Sequence, residues 1–377
     1  MNLKKTILIL FFTGITIELF SFFFSYFNLL PFNTTPELYS KSTYHSFKNE
    51  KNLWGAWHKK NINVRHIREC FDVRYFSNEI GAKDEKFSIK KNKKKRLLFI
   101  GDSFVEGYGV SNEHTIDSYL EKFTDYEIYN FGTSGAFGPL QYYLLYENLA
   151  NNYEHDGLII SFLPANDFHE NDYDYWLKNN WNFLDKKKKV ERYRPYYVKL
   201  DNNKFDYFIP KNAIKRDVWK YRSRVNLKDQ LKYILSYSLW SFNIYKSFKY
   251  FDDYKTKTHY SGYFDSTIEQ QEAALFFLEE MLKVNNNKFV LLLIFPTIED
   301  LKRINNSKNN LGTQKWYKEL NKLQKNKKYN LHLVNIHDHI KKIDNYKKLQ
   351  HECDGHLNIE GNKFVAKILR DHINTID

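Results

Sequence analysis

The chain has 377 residues, of which 42% are hydrophobic and 18% aromatic, with only 14 Gly and 7 Pro. This composition excludes a collagen-like or broadly disordered protein and leaves ample chain for a sizeable core. The net charge of +13 falls in short lysine runs (Lys93 to Arg96, Lys186 to Lys189, Lys325 to Lys328) interleaved with Asn, as solvated faces do. No motif of the usual nucleic-acid-binding families accompanies them, so no nucleic-acid partner is expected.

After Lys4 and Lys5, residues 6–27 run apolar with Glu18 as the one charged residue, long enough as a helix to cross roughly 30 Å of hydrocarbon. A cleaved signal peptide has a shorter apolar core followed by small residues. Phe20 to Pro31 supplies bulky aromatics instead, so residues 1–31 are expected to be an uncleaved membrane anchor. The two lysines before the span, and the lack of another such run, place everything after about residue 32 outside the cytoplasm. Cys70 and Cys353 are compatible with a disulfide in an oxidising compartment or with two unpaired thiols.

Residues 32–92 are aromatic, polar and weakly periodic, and read as a lead-in packing on a main domain at 93–377. In that domain short apolar runs at Leu97 to Ile100, Glu127 to Asn130, Leu158 to Phe162, Phe289 to Phe295 and Leu331 to Ile336 read as strands. Helical patterns lie between them, at Thr115 to Phe123, Leu140 to Ala150, Thr267 to Val284 and Gln314 to Gln324, with a last one at Lys363 to Leu369. Alternation of this kind predicts βαβ units and a mainly parallel α/β sheet. Residues 168–261 interrupt the rhythm as an insertion rich in Tyr, Trp and Lys. It carries an amphipathic helical pattern at Leu227 to Phe248, suited to a lid or substrate wall.

Four patches follow strand ends or precede the last helix. Gly101-Asp-Ser103 places a serine at the carboxyl end of a strand and the start of a helix, where open α/β sheets place ligands and the helix N-terminus favours negative charge. Taken alone, Ser103 is more simply a helix cap. Asn130-Phe-Gly-Thr-Ser-Gly-Ala-Phe-Gly138 lets backbone N–H groups approach a ligand, and alone it is a turn. In Ser161-Phe-Leu-Pro-Ala-Asn-Asp167, Asn166 has an amide able to face a developing oxyanion, though Asn after a strand is usually a turn residue. In Asp354-Gly-His356 an acid two residues before a histidine can orient a general base; a lone loop histidine is mostly polar surface.

The four together resemble, in order, the motif blocks of the SGNH hydrolases, also called GDSL-like esterases, over roughly Leu97 to Leu369. The resemblance implies a three-layer α/β sandwich with a flavodoxin-like, mainly parallel sheet. It implies Ser103 as nucleophile, His356 as base and Asp354 as its orienting acid, with an oxyanion hole from the Ser103 N–H, the Gly135 N–H and the Asn166 side chain. The chain departs from the pattern in two places. The family acid usually precedes its histidine by three residues, where this chain has Cys353, so Glu352 or a backbone carbonyl are alternative orienters. Pro164 stands where a Gly usually precedes the block-three Asn, and Gly132 is an alternative to Gly135 in the second block. Ser77-Asn-Glu-Ile-Gly81 resembles the lead-in of membrane-anchored bacterial members, which implies a cell-envelope carbohydrate bearing an acyl, most simply O-acetyl, ester as substrate. The expected activity is ester hydrolysis without metal or cofactor, with O-acyl transfer by the same residues, or carbohydrate binding without catalysis, as alternatives. A zinc site from His332, His337 and His339 is disfavoured by spacing.

Overall fold

A computed structural model describes residues 3–27, 29–30, 48–68, 70–91, 94–178, 183–185, 190–211, 213–214, 227–246, 248, 260–306, 310–340, 342–352 and 354–376. Helix α1 (Leu3–Tyr26) is long and apolar enough to cross a membrane. Two antiparallel hairpins follow, β1 (Lys48–Asn52) with β2 (Gly55–His58), and β3 (Asn63–Arg68) with β4 (Phe71–Phe76). Strands β5 (Arg96–Gly101), β6 (Glu127–Gly132) and β7 (Gly157–Phe162) begin the main sheet. The insertion adds short strands β8 (Phe183–Asp185), β9 (Val190–Arg192), β10 (Tyr196–Lys199), β11 (Phe205–Phe208) and β12 (Ala213–Ile214) in two small separate sheets. Strands β13 (Phe289–Ile294) and β14 (Leu331–Asn335) complete the main one. The helices used below are α2 (Ser103–Glu106), α3 (Ile116–Phe123), α4 (Pro139–Asn148), α5 (Pro164–Asp167), α6 (Leu227–Ser238), α7 (240–246), α8 (Ile268–Val284), α9 (Lys315–Lys325) and α10 (Ile359–Ile376).

The main sheet is parallel throughout, in the order β14-β13-β7-β5-β6. Numbered along the chain from β6's edge this is 2-1-3-4-5, the flavodoxin-like order, whose switch point lies between β5 and β7. Strand side chains alternate between two cores, as a period of two requires. Leu98, Ile100, Leu158, Ile160 and Leu292 meet α4, α8 and α9 on one face. Leu97, Phe99, Ile159, Leu291 and Leu293 meet α3 and α10 on the other. Burial on both faces explains why these strands read as continuous apolar runs.

All five strands fall within two residues of the sequence expectation. The last helix is longer than Lys363 to Leu369, because the Asn358 side chain accepts from the Gly361 N–H (2.9 Å) and Ile373 joins the core below Leu369. The amphipathic pattern at 227–248 is two helices, α6 and α7, broken at Leu239.

The lead-in reaches the sheet through buried cations. Arg96, fully buried, pairs with Glu127 (2.6 Å) and donates to the carbonyls of Ser88 (2.9 Å), Lys90 (3.1 Å) and Glu154 (3.0 Å). Lys83, also buried, donates to the carbonyls of Gly107 and Val110, each at 2.7 Å. Truncating Arg96 strands Glu127 and several carbonyls, so Arg96→Ala is expected to lose about 3 kcal/mol of stability. The guanidinium unfolding midpoint in detergent measures this, and an unchanged midpoint contradicts it.

Candidate active site

The turn that carries Ser103 is built on two glycines. Gly101 and Gly132 end the neighbouring strands β5 and β6 and pair in register. A Cβ on Gly132 would overlap the backbone of Val105 and Glu106, and one on Gly101 would lie 2.7 Å from the Ser161 Cβ. Without those side chains α2 sits directly on the carboxyl edge of the sheet. Asp102 caps it, accepting from the Phe104 N–H at 2.9 Å. Ser103 follows as the first helical residue, with its hydroxyl directed at His356.

The Ser103 Oγ and His356 Nε2 lie 2.7 Å apart, although 253 residues separate them. On the other side of the ring, Nδ1 contacts Asp354 Oδ1, which also accepts the His356 backbone N–H at 3.1 Å. Burial pushes the Asp354 carboxyl up, but the His356 ring, the His356 N–H and Arg68 outweigh it, leaving its pKa below the usual carboxylate value. Glu352, the alternative orienter, is exposed. The loop is fixed by the His351 N–H donating to the His356 carbonyl (2.9 Å) and the Asn358 N–H donating to the Leu349 carbonyl (2.9 Å).

The three expected oxyanion donors lie at the ends of the first three main-sheet strands. Gly135 is exposed with φ of +99°, and a Cβ there would meet only open space. Its N–H, the Ser103 N–H and the Asn166 side-chain NH2 make no hydrogen bond among the described residues, while the Asn166 backbone N–H donates to the Leu163 carbonyl (2.9 Å). The N–H of Gly132, the alternative, is taken by the Asn130 side chain at 2.9 Å. Pro164 does not spoil block three, since it occupies the first position of α5, where its missing N–H costs nothing. Asp167 secures that turn by accepting from the Leu163 N–H and the Tyr142 hydroxyl, both at 2.8 Å.

Several residues at this edge were not singled out from the sequence. Glu106, buried at the end of α2, accepts the Ser134 N–H and faces His58 Nε2 at 3.6 Å, tying the Gly135 turn to the nucleophile helix and to β2. Tyr108 stacks on the His356 ring with centroids 4.3 Å apart, and burial pushes its hydroxyl up to about 12. Arg68 of β3 lies near enough to lower the pKa of both Tyr108 and Asp354. Phe71 packs on His351 (4.9 Å). Cys70, between them, is disulfide-bonded; the one other cysteine, Cys353, lies outside the described residues. The signal for this wall was the alternation from Asn63 to Phe76, a strand pattern whose Glu69-Cys70 connection lacks the usual turn residues.

No family model matches the chain, and no curated protein matches it. Among solved structures it is similar to a protein assigned as lipolytic in the G-D-S-L family, from Desulfitobacterium hafniense DCB-2 (12% identity, 74% of this chain and 98% of that one, TM-score 0.36). It is also similar to a carbohydrate esterase family 2 enzyme with a carbohydrate binding domain from Corynascus thermopiles (Myceliophthora fergusii) (11% identity, 77% and 68%, TM-score 0.34). A third is the salicylyl-acyltransferase SsfX3 from a tetracycline biosynthetic pathway (10% identity, 76% and 56%, TM-score 0.32).

Asp102 gives a pH test of this geometry. Burial raises its carboxyl from 3.8 to about 6, against the opposing pull of the Phe104 N–H and His356, and its Oδ2 has no partner. Between about pH 4 and 6 the folded chain therefore holds a proton that the unfolded chain has lost, and stability falls as pH rises through that window. Asn keeps the cap acceptor without the charge. Asp102→Asn is expected to be more stable than the parent at pH 7.5, on the order of 3 kcal/mol, with the gain vanishing at pH 4. Thermal melts at the two pH values decide it, and equal or lower stability at pH 7.5 refutes it.

Proposed function

We propose that this chain is a membrane-anchored serine ester hydrolase of the SGNH type, acting on acyl esters of a cell-envelope carbohydrate. The observation that carries the reading is the chain of contacts from the Ser103 hydroxyl to His356 (2.7 Å) and on to Asp354. In this mechanism His356 Nε2 takes the Ser103 proton as Oγ attacks the ester carbonyl. Asp354 holds the ring with its proton on Nδ1 and favours the imidazolium that forms. The Ser103 N–H, the Gly135 N–H and the Asn166 amide receive the oxyanion, each such donor being worth roughly 10²–10³ in rate where it has been removed from other enzymes. His356 then returns the proton to the leaving alcohol. Water releases the acyl group in a hydrolase; a sugar hydroxyl accepts it in a transferase, with every residue in the same role.

Two observations support an extracytoplasmic site. Lys4 and Lys5 precede the span, as on the cytoplasmic side of anchors, and a disulfide at Cys70 suits an oxidising compartment.

Detergent-solubilised full-length protein is expected to be labelled on Ser103 by a fluorophosphonate probe. Ser103→Ala should lose both labelling and turnover of a small acyl ester with an unchanged circular dichroism spectrum; retained turnover would sink the assignment. Asp354→Asn should slow single-turnover acylation by up to about 10⁴, while Glu352→Gln stays near the parent rate. A loss below about tenfold for Asp354→Asn, roughly 1.4 kcal/mol of barrier, would reduce the triad to a Ser103–His356 pair.

A further inference from the structure

Within α1 the only charged side chain between Thr6 and Phe27 is Glu18, and a carboxylate inside hydrocarbon is costly unless satisfied. Here it is satisfied by the insertion. Glu18 accepts the backbone N–H groups of Trp240 (3.0 Å) and Ser241 (3.3 Å) and the Ser241 hydroxyl. Those N–H groups belong to the first turn of α7, which has no intrahelical acceptor for them and carries partial positive charge. The Trp240 ring meets Phe22 edge-on with centroids 5.2 Å apart. Ser21, one residue before Phe22, is the buried position of α1.

The depth of this contact is informative. Eight residues separate Glu18 from Tyr26, about 12 Å along a helix. The 24 residues of α1 span about 36 Å, some 3 Å beyond a 30 Å hydrocarbon layer at each end. The turn at Trp240 and Ser241 then lies about 9 Å inside the hydrocarbon boundary, within the roughly 5–10 Å at which interfacial amphipathic helices settle. Helix α6, which leads into that turn, exposes Leu227 (72%), Leu231 (52%) and Ile234 (51%) at the i, i+4, i+7 spacing of one stripe. Lys228 and Lys232 are exposed beside it, and Tyr245 of α7 is exposed as well. An apolar stripe flanked by lysines is suited to acyl chains beneath anionic headgroups.

We infer that α6 and α7 form a membrane-docking surface, whose partner is the outer face of the bilayer that α1 crosses. The inference rests on the reading of α1 as a membrane anchor and goes beyond it: the insertion is a second, interfacial attachment continuous with the span, rather than a lid. It gives the domain two points of contact with the bilayer, which fixes its tilt.

Spin labelling of the full-length protein in bilayers of phosphatidylethanolamine and phosphatidylglycerol tests this. Among the described residues no cysteine is free, so an unreduced sample takes label at an introduced one. Labels at Phe12→Cys, Ile234→Cys and Lys232→Cys report α1, the apolar stripe and its polar flank, with Leu231→Cys as a second stripe position. The expected result is several-fold higher collision with oxygen than with a water-soluble nickel chelate at Phe12, Ile234 and Leu231, and the reverse at Lys232. A lipid-like Phe12 with water-exposed Ile234 and Leu231 overturns the docking surface while leaving the anchor standing. A lipid-like Phe12 with the stripe shielded from both reagents overturns it in favour of a second protein copy. A water-exposed Phe12 removes the anchor and the inference with it.

Discussion

The site depends on one close approach, that of α2 to the paired glycines at the ends of β5 and β6. Gly101 and Gly132 face each other in register, and a methyl group on Gly132 would displace the Val105–Glu106 backbone. That backbone carries Ser103 at one end of its single turn and Glu106 at the other, so its height above the sheet sets both the Ser103 hydroxyl and the carboxylate that holds the Ser134 N–H. A shift of α2 by about 1 Å would lengthen the Ser103–His356 hydrogen bond beyond useful range and move the Gly135 turn with it. Ser103 and the Gly135 turn are thus placed by the same steric constraint.

Electrostatics at this edge look adverse until protonation is considered. Asp102, which precedes Ser103, and Asp167 and Glu170, which follow Asn166, are all buried, and negative charges on them would oppose an oxyanion beside Ser103 and Asn166. Burial raises all three, Asp102 to about 6 and Asp167 well above its ordinary value, and the charges of Asp102 and Glu170 raise Asp167 further. Arg194 offsets Glu170 at 3.1 Å. Asp354, by contrast, is held below the usual carboxylate value by the His356 ring and Arg68 despite its burial, so its surroundings favour the ionised form while burial favours the protonated form of Asp167.

The main sheet was legible because five buried parallel strands must be apolar almost without interruption, as Phe289 to Phe295 is. Ser103, Gly135, Asn166, Asp354 and His356 stand out in the sequence only as an ordered set, since each alone is an ordinary cap, turn or loop residue, and of these the structure joins Ser103, His356 and Asp354 by direct contacts. What stayed hidden depends on contacts far apart in sequence. Glu106 reads as an exposed helical acid until His58 and Ser134 close over it. Tyr108 gains meaning only when the last loop lays His356 on its ring. The β3–β4 hairpin alternates as a strand pair should, yet no Gly, Asn or Pro marks its turn, because a disulfide-bonded Cys70 stands there. Glu18 read as a blemish in an otherwise apolar span, and its partners lie 222 and 223 residues away.

The insertion begins and ends at α5, the turn that carries Asn166. It leaves the main domain just after α5, where Arg194 bonds both the Glu170 side chain and the Gln141 amide oxygen (3.3 Å). It returns at Ser261 and Gly262. A Cβ on Gly262 would overlap the backbone of Pro164 and Ala165, so the returning chain presses directly on the turn that presents Asn166. Ser261 is held there by Asp300, which also accepts the Tyr263 N–H at 3.1 Å. Between these two roots the same segment reaches α1 through Trp240 and Ser241. The segment that carries the Glu18 contact is thus rooted at both its ends on α5, the Arg194 side bonding Glu170 and the Gly262 side packed on Pro164 and Ala165.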